Sequence, residues 1–139
     1  MTPDKIIDAA RSYVNTPFHH GGRLPGVGLD CIGVIVCAAR AAGVQHHDVA
    51  AYPLRPNGRL TVELSAQLDR VESALPGDVL QMTFGGEPHH VAIYTGDTLI
   101  HAYATVRRCV EQPMVQAWWD RVCGIYRFGE LRGIKSAAH

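Results

Sequence analysis

No apolar run in this sequence approaches the ~20 residues that a membrane-spanning helix requires. Charge of either sign is not in surplus: 13 Lys and Arg balance 13 Asp and Glu, for a formal net charge of zero. The longest basic run is the pair Arg107-Arg108. A chain so balanced has no electrostatic footprint for a phosphate backbone or an anionic bilayer, so neither nucleic acid nor membrane insertion is expected. The N-terminal segment Met-Thr-Pro-Asp-Lys-Ile-Ile-Asp carries an early acid and no long apolar region, so synthesis as a soluble cytoplasmic protein without a signal peptide is expected. Also missing are a C-x-x-C pair, the dense cysteine spacing of secreted disulfide frameworks, an H-E-x-x-H helix, internal repeats and low-complexity linkers.

What is present is enough for one ordinary core, with 139 residues of which 47% are hydrophobic. A single domain over 1–139 is expected. The four cysteines, Cys31, Cys37, Cys109 and Cys123, read as free thiols. Cys37 is expected in the core with Val34 and Ala38, and Cys109 and Cys123 as small buried hydrophobes. Neither His19-His20 nor His46-His47 has the spacing of a zinc site, and no metal or other cofactor is expected.

The chain has a helical front and a strand-rich back, which predicts an α+β domain. Thr2 or Asp4 can cap a first helix through about Val14, with Ile6, Ile7, Ala10 and Val14 on one face. A glycine-rich loop runs from Gly21 to Gly28. Asp30 can then cap an apolar helix over Cys31–Ala42, with Gly43 at its C′ position. After a loop around 52–57, Leu60, Leu64 and Leu68 step at i+4 along a third helix, and Leu75-Pro76-Gly77-Asp78 turns the chain. Strands are predicted at about 78–84, 90–95, 98–103, 107–111 and 121–128.

Chemistry concentrates at Cys31, because helix-start amides and the macrodipole favour thiolate over thiol and can draw the pKa below its free value of about 8.5. The hairpin adds two histidines. If Thr95-Gly96 is the loop, His90 falls opposite His101; if Gly96-Asp97 is, His90 faces Tyr103 and His101 is a diagonal neighbour. Both registers keep His90 and His101 on one face and send His89 to the other. Nucleophile, base and orienter are the parts of thiol catalysis. Of the adjacent Trp118 and Trp119, one is expected partly exposed, for glycan stacking or a protein contact, and the other in the core.

Three blocks resemble the NlpC-type murein cysteine peptidases, a papain-like family. Thr16-Pro17-Phe18-His19-His20-Gly21-Gly22-Arg23, running into Leu29-Asp30-Cys31-Ile32-Gly33-Val34, resembles the nucleophile segment with its glycine loop. Leu75-Pro76-Gly77-Asp78-Val79-Leu80 is similar to the turn entering the family's sheet. His90-Val91-Ala92-Ile93-Tyr94 with Ile100-His101-Ala102 matches the base histidine and the third polar residue. Together the blocks span about 5–128 in the family's order, and the Gly-Gly-Arg-x-Pro-Gly insertion looks most like the branch found beside phage tail genes and gene-transfer particles.

This resemblance implies a papain-like fold with a central nucleophile helix packed on an antiparallel sheet. It implies Cys31 as nucleophile, His90 as base and His101 as the group orienting it, with the Cys31 amide in the oxyanion hole. Asp30, Phe18, Arg23 and Gly33 are the implied substrate-binding residues. The implied reaction is hydrolysis of an amide in the peptidoglycan stem peptide, of the D-glutamate to diaminopimelate type, at the bacterial wall and as a virion tail component beside tail-tip proteins. Two alternatives stand: a structural tail-tip module of the same fold with little activity, and an amidase or acyltransferase of the same clan. Ile32 replaces the family's usual Ser after the nucleophile, and Phe18 stands where many relatives carry Tyr. A histidine base predicts activity that falls as pH drops toward about 6.

Overall fold

The computed structural model describes residues 2–43, 64–84 and 87–131, those at 87–89 and 130 by backbone alone. The expected loop around 52–57, Leu60 and the His46-His47 pair lie outside the described residues.

The first helix, α1 (Pro3–Ser12), starts where Thr2 accepts a hydrogen bond from the Lys5 N–H and Pro3 occupies a position whose own N–H would be unsatisfied. Ile6, Ile7 and Ala10 are its buried face. It ends two residues before Val14, and Asn15 takes a left-handed φ of 77° that turns the chain away. The glycine-rich stretch, expected as a loop, folds instead into a small hairpin of β1 (Arg23–Leu24) and β2 (Gly28–Leu29). From it the chain passes into α2 (Cys31–Ala41).

Every residue of α2 from Gly33 to Ala39 is buried, as an apolar helix without a polar face must be. Its end carries Arg40 in the last turn and Gly43 at φ +85°, the left-handed stop the sequence predicts. A helical turn at 64–67 is the described part of the third helix, with Leu64 buried.

Six strands make one sheet: β3 (Asp69–Val71), β4 (Val79–Phe84), β5 (Glu87–Tyr94), β6 (Thr98–Tyr103), β7 (Arg108–Pro113) and β8 (Val122–Arg127). Their order is β3-β8-β4-β5-β6-β7, and every neighbouring pair is antiparallel. The edge strand β3 is absent from the sequence-based expectation; three residues are too short a stretch to carry a readable periodicity.

Val79, Val91, Ile93, Ile100, Ala102 and Cys109 share the main core with α1 and α2. A second, smaller cluster of Met82, Ala92 and Leu99, flanked by Met114, Trp118 and Val122, covers the other face. The turn before β4 is locked by Asp78, which is fully buried. Its carboxylate accepts the Leu75 N–H at 2.8 Å and two bonds from the Arg127 guanidinium at 2.8 and 2.7 Å. A buried bidentate pair of this kind is geometrically demanding, and it fixes where β4 and β8 begin and end.

The β5–β6 loop is Gly96-Asp97, since the Thr95 N–H bonds the Thr98 carbonyl at 3.0 Å and Tyr94 pairs with Leu99. Gly96 has φ +114°, the positive φ required at the first position of a type II′ hairpin turn. Of the two registers open from sequence, this is the one in which His90 is aligned with Tyr103 and His101 is its diagonal neighbour.

Candidate active site

Cys31 is the first residue of α2, and the hairpin before it is packed against the helix start by backbone approach and one carboxylate. Asp30 is 2% exposed and caps the helix by accepting the Gly33 N–H at 2.8 Å. Its other oxygen takes the Gly21 N–H at 2.8 Å, and the Arg23 guanidinium bonds the capping oxygen at 2.9 Å while also donating to the Gly22 carbonyl. Gly33 lets the loop lie this close, because a Cβ there would stand 2.3 Å from the Gly22 carbonyl oxygen. Cys37 is buried as expected, and its thiol bonds the Arg23 carbonyl at 3.3 Å.

These contacts place the four residues implied as substrate-binding. Asp30 and Arg23 hold each other, Gly33 is buried under the loop, and Phe18 is half-buried between Leu29 and the main core. All four build the wall that seats Cys31.

The thiol reaches a break in the sheet. The Thr95/Thr98 and Ile93/Ile100 pairs belong to one alternating set of the β5–β6 ladder, so the next bond along β5 would join Val91 to Ala102. The ladder stops at Ile93 and Ile100. The Val91 and Ile32 N–H groups instead lie near enough to the Cys31 sulfur to favour its thiolate form. The nucleophile candidate thus occupies the split between the strands that carry His90 and His101.

The expected lowering of the Cys31 pKa is not found. Burial of the thiol pushes it up to about 12, the Asp30 charge adds to that, and the Val91 and Ile32 N–H groups and Arg23 oppose it only in part. Part of the residue's surface stays exposed, but the sulfur lies in dry surroundings. The capping carboxylate beside it offsets what the helix start supplies. Cys31 therefore rests as a thiol, and its activation needs a base.

His90 and His101 meet on the sheet face away from α2. His90 is 5% exposed, and its Nε2 lies 2.7 Å from Nδ1 of His101, which is fully buried. His101 Nε2 continues to the side-chain oxygen of Gln112 at 2.7 Å. Burial lowers the His101 pKa, and the Gln112 bond opposes this in part. Aromatic carbon encloses the pair: Phe84 stacks on His90 with centroids 4.5 Å apart, Tyr103 stacks on His101 at 5.2 Å, and Trp118 meets His101 edge-on. The β4 bulge between Met82 and Thr83 lies at the residue paired with His90, where an irregularity re-aims side chains. His89 belongs to β5, but its side chain lies outside the described residues.

Other sequence expectations are revised. Trp118 and Trp119 are both half-buried rather than one core and one exposed. They lie on the short helix α3 (Gln116–Trp119), so one ring meets the histidine pair and the other meets Tyr94 at 5.4 Å. Cys123 is exposed, whereas Cys109 is buried. His19 and His20 are exposed, and among the described residues no group of three or more His, Cys, Asp or Glu is placed to hold a metal ion. No helix among the described residues is long and apolar enough to cross a membrane.

Gln112 joins the site without having been expected from the sequence. Leu99 pairs with Gln112 and His101 with Val110, so Gln112 shares the face of His101. A polar amide on a strand face otherwise lined by Leu99 and Val110 was the available signal.

The NlpC/P60 family profile matches residues 15–127. No curated protein matches the chain. Among solved structures, an NLP/P60-family protein from Staphylococcus aureus, described as similar to lipoprotein, superposes with TM-score 0.68 at 24% identity, over 91% of this chain and 41% of its own. The NlpC/p60 domain of the peptidoglycan hydrolase SagA gives 0.65 at 24% identity, over 92% of this chain and 100% of that domain. The peptidoglycan hydrolase RipB from Mycobacterium tuberculosis gives 0.64 at 21%, over 90% and 63%. The chain thus spans about two fifths of the Staphylococcus aureus protein, and these likenesses establish the papain-like α+β fold. The chain belongs to the NlpC/P60 family.

Proposed function

We propose that this NlpC/P60 domain is a cysteine peptidase that hydrolyses an amide bond of the peptidoglycan stem peptide, with Cys31 as nucleophile, His90 as base and His101 as the residue orienting that base. The observation that carries the reading is the parting of β5 and β6 beyond Ile93 and Ile100, where the Val91 N–H favours the Cys31 thiolate and the adjoining His90 is bonded to His101 at 2.7 Å.

His90 Nε2 is engaged with His101, and in this reading Nδ1 is the ring nitrogen that accepts the thiol proton. The Cys31 proton moves to His90 Nδ1 as the sulfur attacks the scissile carbonyl carbon. The carbonyl oxygen takes the charge, facing the helix-start amides, whose donors contribute ~3–4 kcal/mol each at an oxyanion. The C–N bond then breaks, His90 returns the proton to the leaving amine, and water hydrolyses the thioester with His90 again accepting a proton. A thiol resting near 12 fits proton transfer concerted with attack better than a standing thiolate.

The finer assignment is to the bond between D-glutamate and diaminopimelate, in a phage-tail or gene-transfer-particle setting beside tail-tip proteins and at the cell wall. It rests on the order of the sequence blocks and on the Gly-Gly-Arg-x-Pro-Gly insertion. Ile32 places an apolar side chain beside the nucleophile, which favours a stem peptide without a hydroxyl-bound free amine. A resting thiol also suits a second reading, a structural tail-tip module of the same fold.

The test is digestion of purified peptidoglycan from several bacteria by wild type and Cys31→Ala, with released fragments identified by mass spectrometry. New amine ends from wild type alone are expected. No release by folded wild type, with a tail partner supplied, would overturn the peptidase reading in favour of the structural module.

A further inference from the structure

The Cys31/His90/His101 set uses only part of the polar chain at the site, because His101 passes its second nitrogen to Gln112 on the next strand. Two histidines in series can carry their protons in two ordered patterns. In one, the Gln112 carbonyl oxygen accepts His101 Nε2–H, so His101 Nδ1 is a bare acceptor. His90 Nε2–H then donates to it, and His90 Nδ1 carries no hydrogen. In the other, the Gln112 amide is turned, every proton shifts along, and His90 Nδ1 carries hydrogen. That histidine has nothing with which to accept a proton from sulfur.

We infer that Gln112 is a positioning residue that selects the first pattern, with its side-chain carbonyl fixing the tautomer of His101 and, through it, that of His90. The 2.7 Å contact joins His101 Nε2 to Gln112 Oε1, an acceptor and not a donor. Water has little room to interfere: His101 is 0% exposed, and Phe84, Tyr103 and Trp118 cover the two rings. An imidazole enclosed by aromatic carbon takes its tautomer from its hydrogen-bond partners, and reversing a base's tautomer removes its ability to accept a proton even when geometry is kept. The registers Leu99↔Gln112 and His101↔Val110 put the Gln112 side chain diagonally beside His101. This inference rests on the reading of His90 as base, but not on the identity of the substrate.

The experiment compares wild type, Gln112→Leu and Gln112→Glu. Imidazole 15N chemical shifts at pH 8 report which nitrogen of His90 and His101 carries hydrogen, and iodoacetamide reports transfer of the Cys31 proton. Wild type is expected to show Nε2–H on both rings. Gln112→Leu should populate Nδ1–H on His90 and slow Cys31 alkylation ~10-fold or more, whereas Gln112→Glu, which keeps acceptor oxygens, should hold the wild-type tautomers. An Nδ1–H tautomer on His101 of wild type overturns the inference even if Gln112→Leu fails to fold. Unchanged shifts and alkylation in a folded Gln112→Leu overturn it too. If wild type shows the expected tautomers and releases no peptidoglycan fragments, the relay stands and the substrate reading fails. Murein release with the opposite tautomers means the reverse: the peptidase reading stands and the relay fails.

Discussion

Cys31 and His90 come to one site from regions built on different physics. The nucleophile side is held by backbone: a helix start, a glycine loop within van der Waals reach of it, and one buried carboxylate that caps the helix and gathers Gly21 and Arg23. The base side is held by side chains, a hydrogen-bonded file from His90 to Gln112 inside an aromatic enclosure. The first region fixes an atom's position and works against its ionisation, since burial and Asp30 both raise the thiol. The second moves protons but depends on register and tautomer. Placing the sulfur and activating it are therefore separable tasks, each open to its own substitution.

The sharpest test of that division removes the sulfur. Cys31→Ala should abolish peptidoglycan hydrolysis, a loss of ~10⁴-fold or more in kcat, with the fold retained by circular dichroism. His90→Ala comes next, with kcat down ~10³-fold. Its Cys31 should alkylate slowly, because a thiol near 12 without a base is ionised to only about one part in ten thousand at pH 8. A Cys31 that reacts as fast in His90→Ala as in wild type would show that the helix start activates it alone, and the division would collapse.

The nucleophile side should respond in stability as well as activity. Asp30→Ala removes the cap and the carboxylate partner of Arg23, and a cost of ~3 kcal/mol is expected in urea unfolding. Gly33→Ala forces the Gly22 carbonyl away and should cost ~1–3 kcal/mol while displacing the loop. An Asp30→Ala protein as stable as wild type would mean that the hairpin is not fastened through that carboxylate.

The smallest effect belongs to pH. Burial sets the folded-state His101 pKa below the ordinary 6.5, so the unfolded chain takes up a proton first as pH falls. The stability this group contributes is complete above 6.5 and is lost as pH drops through that value toward the folded pKa. Urea midpoints should therefore fall from pH 7 to 5.5, and His101→Gln should flatten the fall. An equal slope in the variant would assign the effect to other groups.

Much of the architecture was legible along the chain because it is locally encoded. Thr2 and Asp30 are caps, Gly43 is a stop, the apolar run after Cys31 leaves no polar face, and Gly96-Asp97 belongs to a short menu of hairpin turns. Two-residue alternation put His90 and His101 on one face in either register. The five longer strands follow from the same periodicity, whereas β3 and the β1–β2 hairpin are too short to carry one.

Composition and local pattern by themselves determined the longer elements, their order and the three residues proposed for chemistry. Only the tertiary structure decided how the strands lie side by side, and the site depends on that. The ladder between β5 and β6 parts at Val91, which gives the sulfur its place, and β7 joins β6 in the register that brings Gln112 to His101. Burial, which sets the direction of both the Cys31 and the His101 shifts, comes from residues distant in sequence. A helix start and a histidine can be recognised from a few neighbours, but the dielectric around a thiol and the partner of a second imidazole are properties of the packed whole.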